Sequence, residues 1–193
     1  MIIGITGAFG CGKSAVLRFF ASKNWHTFDA DSVCKSFYDS QEPYLCSGLK
    51  KIFGDTVFTA ENKIDRSALA EIIFCDAKKK KQLTDMIYPL LTGKMMQEIF
   101  ACRCDSINGA FEIPLLYEAG FANCFDAVLS VWAPMKLRRK RLYGRGFSDA
   151  EIDRRTKLQI DADEKLERAD FAVINTGSVD ELYRQLAELI KRI

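Results

Sequence analysis

The 193-residue chain has one histidine, His26, and no G-x-S-x-G pentapeptide, so histidine-based metallo-hydrolases and serine hydrolases of the nucleophile-elbow type lack their minimum parts. Charge of one sign is also missing. The 28 Lys and Arg residues against 26 Asp and Glu leave a formal net charge of +2, too balanced for a general nucleic-acid or membrane-surface binder. Any anion site must therefore be local, and no nucleic-acid, membrane or protein partner is expected. There is no long apolar run and no basic leader: Met1-Ile2-Ile3-Gly4-Ile5-Thr6 stops at Gly7, so neither a signal peptide nor a membrane helix is expected, and the chain reads as cytoplasmic. No C-x-x-C pair occurs. The seven cysteines (Cys11, Cys34, Cys46, Cys75, Cys102, Cys104 and Cys124) are scattered and odd in number, which argues for reduced thiols rather than a disulfide framework. The lone C-x-C at Cys102 and Cys104 reads as helix filler ahead of a metal site. Internal repeats, linkers and low-complexity segments are absent as well. What remains, 48% hydrophobic and 28% charged residues, suits one globular domain with a small inserted subdomain.

The strongest positive signal lies at the start. Gly7-Ala8-Phe9-Gly10-Cys11-Gly12-Lys13-Ser14 is a GxxxxGK[ST] P-loop, and it comes in the required context, after the β-branched run Ile2 to Thr6 and before a helical pattern with Val16, Leu17, Phe19 and Phe20. Glycines let the backbone turn its N–H groups inward around phosphates, and the helix N-terminus adds partial positive charge. Lys13 is expected on the β and γ phosphates of ATP or another nucleoside triphosphate, and the Ser14 hydroxyl on Mg²⁺. Cys11 is a small, unusual occupant of this loop, and its place at a helix N-terminus raises the expectation of an oxidation-sensitive thiol.

Trp25 to Phe28 reads as a second strand, ending at Asp29-Ala30-Asp31 ahead of a helix from about Ser32 to Tyr38. In open parallel sheets ligands bind outside the carboxyl ends of strands, which places the Asp pair and the P-loop on one side. An aspartate there can hold an acceptor hydroxyl and take its proton; Asp31 could equally be an N-cap, and Asp29 a strand-end residue or an indirect metal partner. From Pro43 to Arg103 the pattern is helical, with Asp65 as a candidate N-cap, which suits a substrate-binding insertion. The Lys78 to Lys81 run reads as a solvated helix face. Strands resume at Ala110 to Ile113, Ala127 to Trp132 and Phe171 to Ile174. Between and after them fall helices over Pro134 to Tyr143, Ser148 to Leu158 and Ser178 to Ile193, the last two opened by Ser148/Glu151 and Ser178/Glu181 capping-box spacings. The order implies a doubly wound α/β fold with right-handed crossovers.

Lys136, Arg138, Arg139, Lys140, Arg141 and Arg145, followed by Gly146-Phe147 and the Ser148-capped helix, make a candidate lid whose arginines would stabilise transferring charge and exclude water, with a solvated helix face as the default for any single one of them. Arg145, at the junction, is the leading candidate. Asn62-Lys63-Ile64-Asp65 matches the guanine-reading NKxD string but lacks a preceding strand, so it reads as a turn before a helix.

Taken in order, these pieces resemble the dephospho-CoA kinase family over nearly the whole chain. The resemblance rests on the P-loop, on Asp29-Ala30-Asp31, on Asp65-Arg66-Ser67-Ala68-Leu69, on Ile113-Pro114-Leu115-Leu116-Tyr117-Glu118, on Arg141-Leu142 through Arg145 to Arg155 and Gln159, and on Ala169-Asp170-Phe171-Ala172-Val173-Ile174-Asn175-Thr176-Gly177. It implies a P-loop kinase: a doubly wound parallel β-sheet core (about 1–40 and 105–193), a helical substrate-binding insertion (about 41–104) and a helical lid (about 138–158). It further implies Mg²⁺-dependent transfer from ATP to the ribose 3′-hydroxyl of dephospho-CoA, the last step of coenzyme A synthesis. Catalytic roles then fall to Asp31 as base, Lys13 and Arg145; ATP contacts to Gly10, Cys11, Gly12, Lys13, Ser14, Ala15, Arg145 and, near adenine, Asn175; substrate contacts to Asp31, Arg66, Tyr88, Pro114 and Leu115; the metal to Ser14. Three positions depart from the family's habit. Tyr88 stands before Pro89 where His is common, Ala15 follows Ser14 where Thr is common, and Glu112 stands where Asp is sometimes found and is not assigned to the metal. The P-loop alone also suits another small-metabolite kinase or a nucleotide-driven switch.

Overall fold

Ile2 to Thr6 is β-branched apart from Gly4 and buried at every position, the pattern of a central strand covered on both faces. It forms β1 (Ile2–Thr6) of a five-stranded, all-parallel sheet with β2 (His26–Asp29), β3 (Gly109–Glu112), β4 (Ala127–Trp132) and β5 (Phe171–Ile174), in the order β2-β3-β1-β4-β5. The computed structural model describes residues 1–193, except for the side chain of Phe74. The chain divides into two compact units, one of residues 1–29 and 98–193 and the other of residues 30–97.

The first unit holds the sheet, helices α1 (Lys13–Ser22), α6 (Met135–Tyr143), α7 (Asp149–Thr156), α8 (Ala162–Glu167) and α9 (Val179–Ile190), and the last turns of α5 (Ala77–Cys104). On one face of the sheet Ile3, Ile5, Leu129, Val131 and Val173 pack with Val16, Phe19 and Phe20 of α1 and with Leu182, Leu186 and Leu189 of α9. Those α9 leucines recur at helical spacing and leave Asp180 and Glu181 in water. The capping boxes expected at Ser148/Glu151 and Ser178/Glu181 are both formed. A six-residue helix, α8, was not legible in the sequence pattern; Asp161 caps it through Asp163 N.

The second unit is helical: α2 (Ala30–Asp39), α3 (Pro43–Phe53), α4 (Arg66–Cys75) and α5 as far as Gln97. Leu45, Leu49, Phe53, Val57, Ile64, Leu69, Leu83 and Met86 form its own core. Phe37 and Tyr38 pack on that core, which is why α2 groups with this unit rather than with the sheet, while Glu98 belongs with the sheet through its 3.2 Å contact to His26. Asp65 is the N-cap of α4, accepting from Ser67 N and Ala68 N. The Asn62 to Asp65 string is a turn, with Asn62 at φ 58° between the bridged residues Phe58 and Ile64. Among the described residues no helix is long and apolar enough to cross a membrane.

Candidate active site

Parallel pairing puts the carboxyl ends of β1, β3 and β4 side by side, and the loop Gly7 to Ser14 turns there into α1. Two glycines are required by space. Gly7 has φ 144° and an added Cβ would stand 2.3 Å from the Val131 carbonyl oxygen; Gly12 has φ 104° and its Cβ would stand 2.2 Å from Asn175 Nδ2. Lys13 is 7% exposed, and its Nζ turns back along the loop to donate to the carbonyls of Gly7 (3.0 Å) and Ala8 (3.5 Å). A phosphate chain offers that ammonium charged acceptors, which bind it more strongly than neutral carbonyls.

Ser14 is exposed at the start of α1, and its hydroxyl donates over 3.5 Å to Oε1 of Glu112, the buried last residue of β3. Asp29, the last residue of β2, is in register with Glu112. Hydroxyl and carboxylate oxygens are the hard donors that Mg²⁺ takes, one or two from protein and the rest from phosphate and water, so this pair fits that ion.

The outer carbonyls of the loop are taken by side chains from later elements. Asn175 Nδ2 donates to Cys11 O at 2.8 Å, and the Arg141 guanidinium donates to Cys11 O (3.4 Å), Asn175 O (3.0 Å) and Asn175 Oδ1 (3.1 Å). Arg138 donates to Ala133 O (3.0 Å) and Phe9 O (3.4 Å). Burial is the main cause that lowers the pKa of both guanidinium groups from their ordinary range. These contacts hold the Phe9 and Cys11 carbonyls of the loop in place. At the apex, Phe9 N donates to Gln159 Oε1 at 2.8 Å, and the Phe9 and Phe147 rings meet edge to face with the Arg155 guanidinium over both. Arg139 joins α6 to Asp149 and Asp153 of α7.

Of the residues marked from the sequence, Gly10, Cys11, Gly12, Lys13, Ser14, Ala15 and Asn175 come together here, and Pro114 and Leu115 lie just past β3, both half-buried. Arg145 is exposed at the turn between α6 and α7. Asp31, Arg66 and Tyr88 belong to the helical unit. Asp31 is exposed in the first turn of α2, which begins at Ala30, so Asp31 is inside the helix and is not its N-cap. Arg66 opens α4, 3.6 Å from Asp39 and over the Tyr38 ring, and Tyr88 is half-buried midway along α5. Cys11, a candidate oxidation-sensitive thiol in the sequence, is fully buried in the sheet core. Arg138 and Arg141, read as lid residues, instead brace the loop from behind. Glu112, set aside from the metal, is the side chain that reaches Ser14. Its signal in the sequence is an acid ending a buried apolar strand.

The family described as dephospho-CoA kinase matches residues 1–181. A dephospho-CoA kinase of Aquifex aeolicus is 32% identical over 191 residues, covering 99% of this chain and 96% of the relative. A solved Thermus thermophilus structure superposes with a TM-score of 0.82 at 32% identity, covering 100% of this chain and 97% of that one. The solved dephospho-CoA kinase from Campylobacter jejuni gives 0.75 at 26% identity, with 99% and 96% covered. A P-loop braced on an all-parallel sheet and full-length likeness to these proteins lead to one conclusion: the chain belongs to the dephospho-CoA kinase family.

Proposed function

We propose that this enzyme transfers the γ-phosphoryl group of ATP to the ribose 3′-hydroxyl of dephospho-CoA, giving coenzyme A and ADP. The observation that carries the reading is the Lys13, Ser14 and Glu112 cluster at the carboxyl edge of the sheet, in a chain with full-length likeness to dephospho-CoA kinases. Lys13 exchanges the Gly7 and Ala8 carbonyls for β- and γ-phosphate oxygens. Mg²⁺, held by the Ser14 hydroxyl with Glu112 fixing that hydroxyl, supplies charge neutralisation at the triphosphate when bound. Asp31 orients the 3′-hydroxyl and takes its proton as the new O–P bond forms and the bond to the ADP oxygen breaks. Arg145, exposed on the turn between α6 and α7, closes over the phosphates and neutralises the transferring group. Arg66, Tyr88, Pro114 and Leu115 contact the acceptor, and Asn175 lies close to adenine.

ATP consumption measured with and without dephospho-CoA tests this. Strong stimulation by that acceptor, with coenzyme A as product, is expected. Slow turnover indifferent to the acceptor would overturn it in favour of a nucleotide switch.

A further inference from the structure

Lys165 of α8 is fully buried, and no step above uses it. Its Nζ donates to the Pro114 carbonyl at 2.6 Å and lies 2.9 and 3.2 Å from the two carboxylate oxygens of Glu118. Burial lowers its pKa, while the Glu118 hydrogen bond acts the other way. A buried ammonium is unfavourable unless paired and hydrogen-bonded, and both partners here come from one turn. That turn follows the last sheet bond of β3, Ile113 N to Ile5 O, so the sheet does not fix it. Pro114 and Leu115 stand half-open there, between the buried Ile113 and Leu116.

Glu118 has a second partner: its Oε1 accepts from Ile160 N at 2.8 Å. The preceding residue, Gln159, accepts from Phe9 N at the P-loop apex. A continuous path therefore runs from the P-loop through Gln159, Ile160, Glu118 and Lys165 to Pro114.

We propose that Lys165 is a positioning residue, which fixes the Pro114 to Glu118 turn past the end of β3, read above as contacting the acceptor, and, through Glu118, ties that turn to the P-loop apex. The identity of the acceptor rests on the functional reading above. Had the lysine merely filled space, methionine, of similar length and no charge, would replace it without consequence.

The test compares wild type with Lys165→Met and Glu118→Gln by steady-state kinetics and by amide hydrogen exchange. The double variant Lys165→Met/Glu118→Leu removes both charges and carries the same measurements if Lys165→Met does not fold. The KM for dephospho-CoA is expected to rise roughly tenfold while that for ATP stays within about twofold. Exchange of the 115–121 and Ile160 amides should quicken while α9 stays protected. Equal rises in both KM values, or an unchanged acceptor KM with faster exchange, would reduce Lys165 to a general brace and overturn the assignment. Unchanged exchange would overturn it too, whatever the acceptor. If wild type ignores dephospho-CoA, the functional reading fails by itself and the exchange result still decides the role of Lys165.

Discussion

Asn175 Nδ2 lies 2.8 Å from the Cys11 carbonyl oxygen, in the place where a side chain on Gly12 would have to go. The glycine and the asparagine are thus one device: the absent Cβ makes room for the amide that holds the loop. Gly12→Ala should lose ATP affinity by about tenfold or more, through positive-φ strain and displacement of Asn175. Asn175→Ala should also weaken binding, by leaving Cys11 O and Arg141 short of partners. The double variant should be less impaired than the two single losses combined, because the steric conflict is gone. ATP titrations of the three variants check this, and strict additivity would contradict the shared device.

Asp31 lies inside α2, which begins at Ala30, so it is not the N-cap that the sequence left open. Asp31→Asn keeps size and polarity but cannot take a proton. Its kcat should fall roughly 100-fold or more with ATP affinity nearly unchanged. Lys13→Ala should weaken ATP binding and turnover together. Near-normal turnover in Asp31→Asn would remove it as the base.

Why some of this was legible and some was not follows from where the information sits. The P-loop, the β4 and β5 strands and both capping boxes are local patterns, with fixed spacings and periodicities, and the structure has them at the expected places. Helix α8 has no apolar stripe, only six residues and a cap, so periodicity could not announce it. The roles of Arg138 and Arg141 could not be read from a run of basic residues, because the distinction is whether a guanidinium meets water or the back of a loop about 130 positions earlier. Glu112 was hidden for the same reason: only the parallel pairing of β3 with β1 brings it to Ser14.

Glu112→Gln keeps the acceptor for Ser14 but removes the charge beside it. If the pair fixes the metal-binding hydroxyl, the variant should need roughly tenfold more Mg²⁺ for half-maximal tightening of ADP binding, with Mg²⁺-free ADP affinity little changed. Fluorescence titration of a labelled ADP against Mg²⁺ reads this without turnover. An unchanged Mg²⁺ requirement would confine Glu112 to sheet packing.

Helix α7 carries a pH-dependent element of its own. Hydrogen bonds from the Ser148 backbone N–H and hydroxyl hold the Glu151 carboxyl below its ordinary pKa, with Arg155 and Arg154 adding to the effect. A carboxylate whose folded pKa is depressed contributes stability above its unfolded pKa, and that contribution fades as pH falls through the folded value. Glu151→Gln should therefore exchange its α7 amides faster than wild type at neutral pH, since a neutral side chain caps more weakly and loses its favourable place at the helix N-terminus. Below the ordinary carboxylate range the two proteins should converge. Exchange at Ile152 and Asp153, corrected for intrinsic rates and followed from neutral to acid pH, gives the comparison. A difference that persisted undiminished in acid would mean that the cap acts through packing and not through the carboxylate's charge.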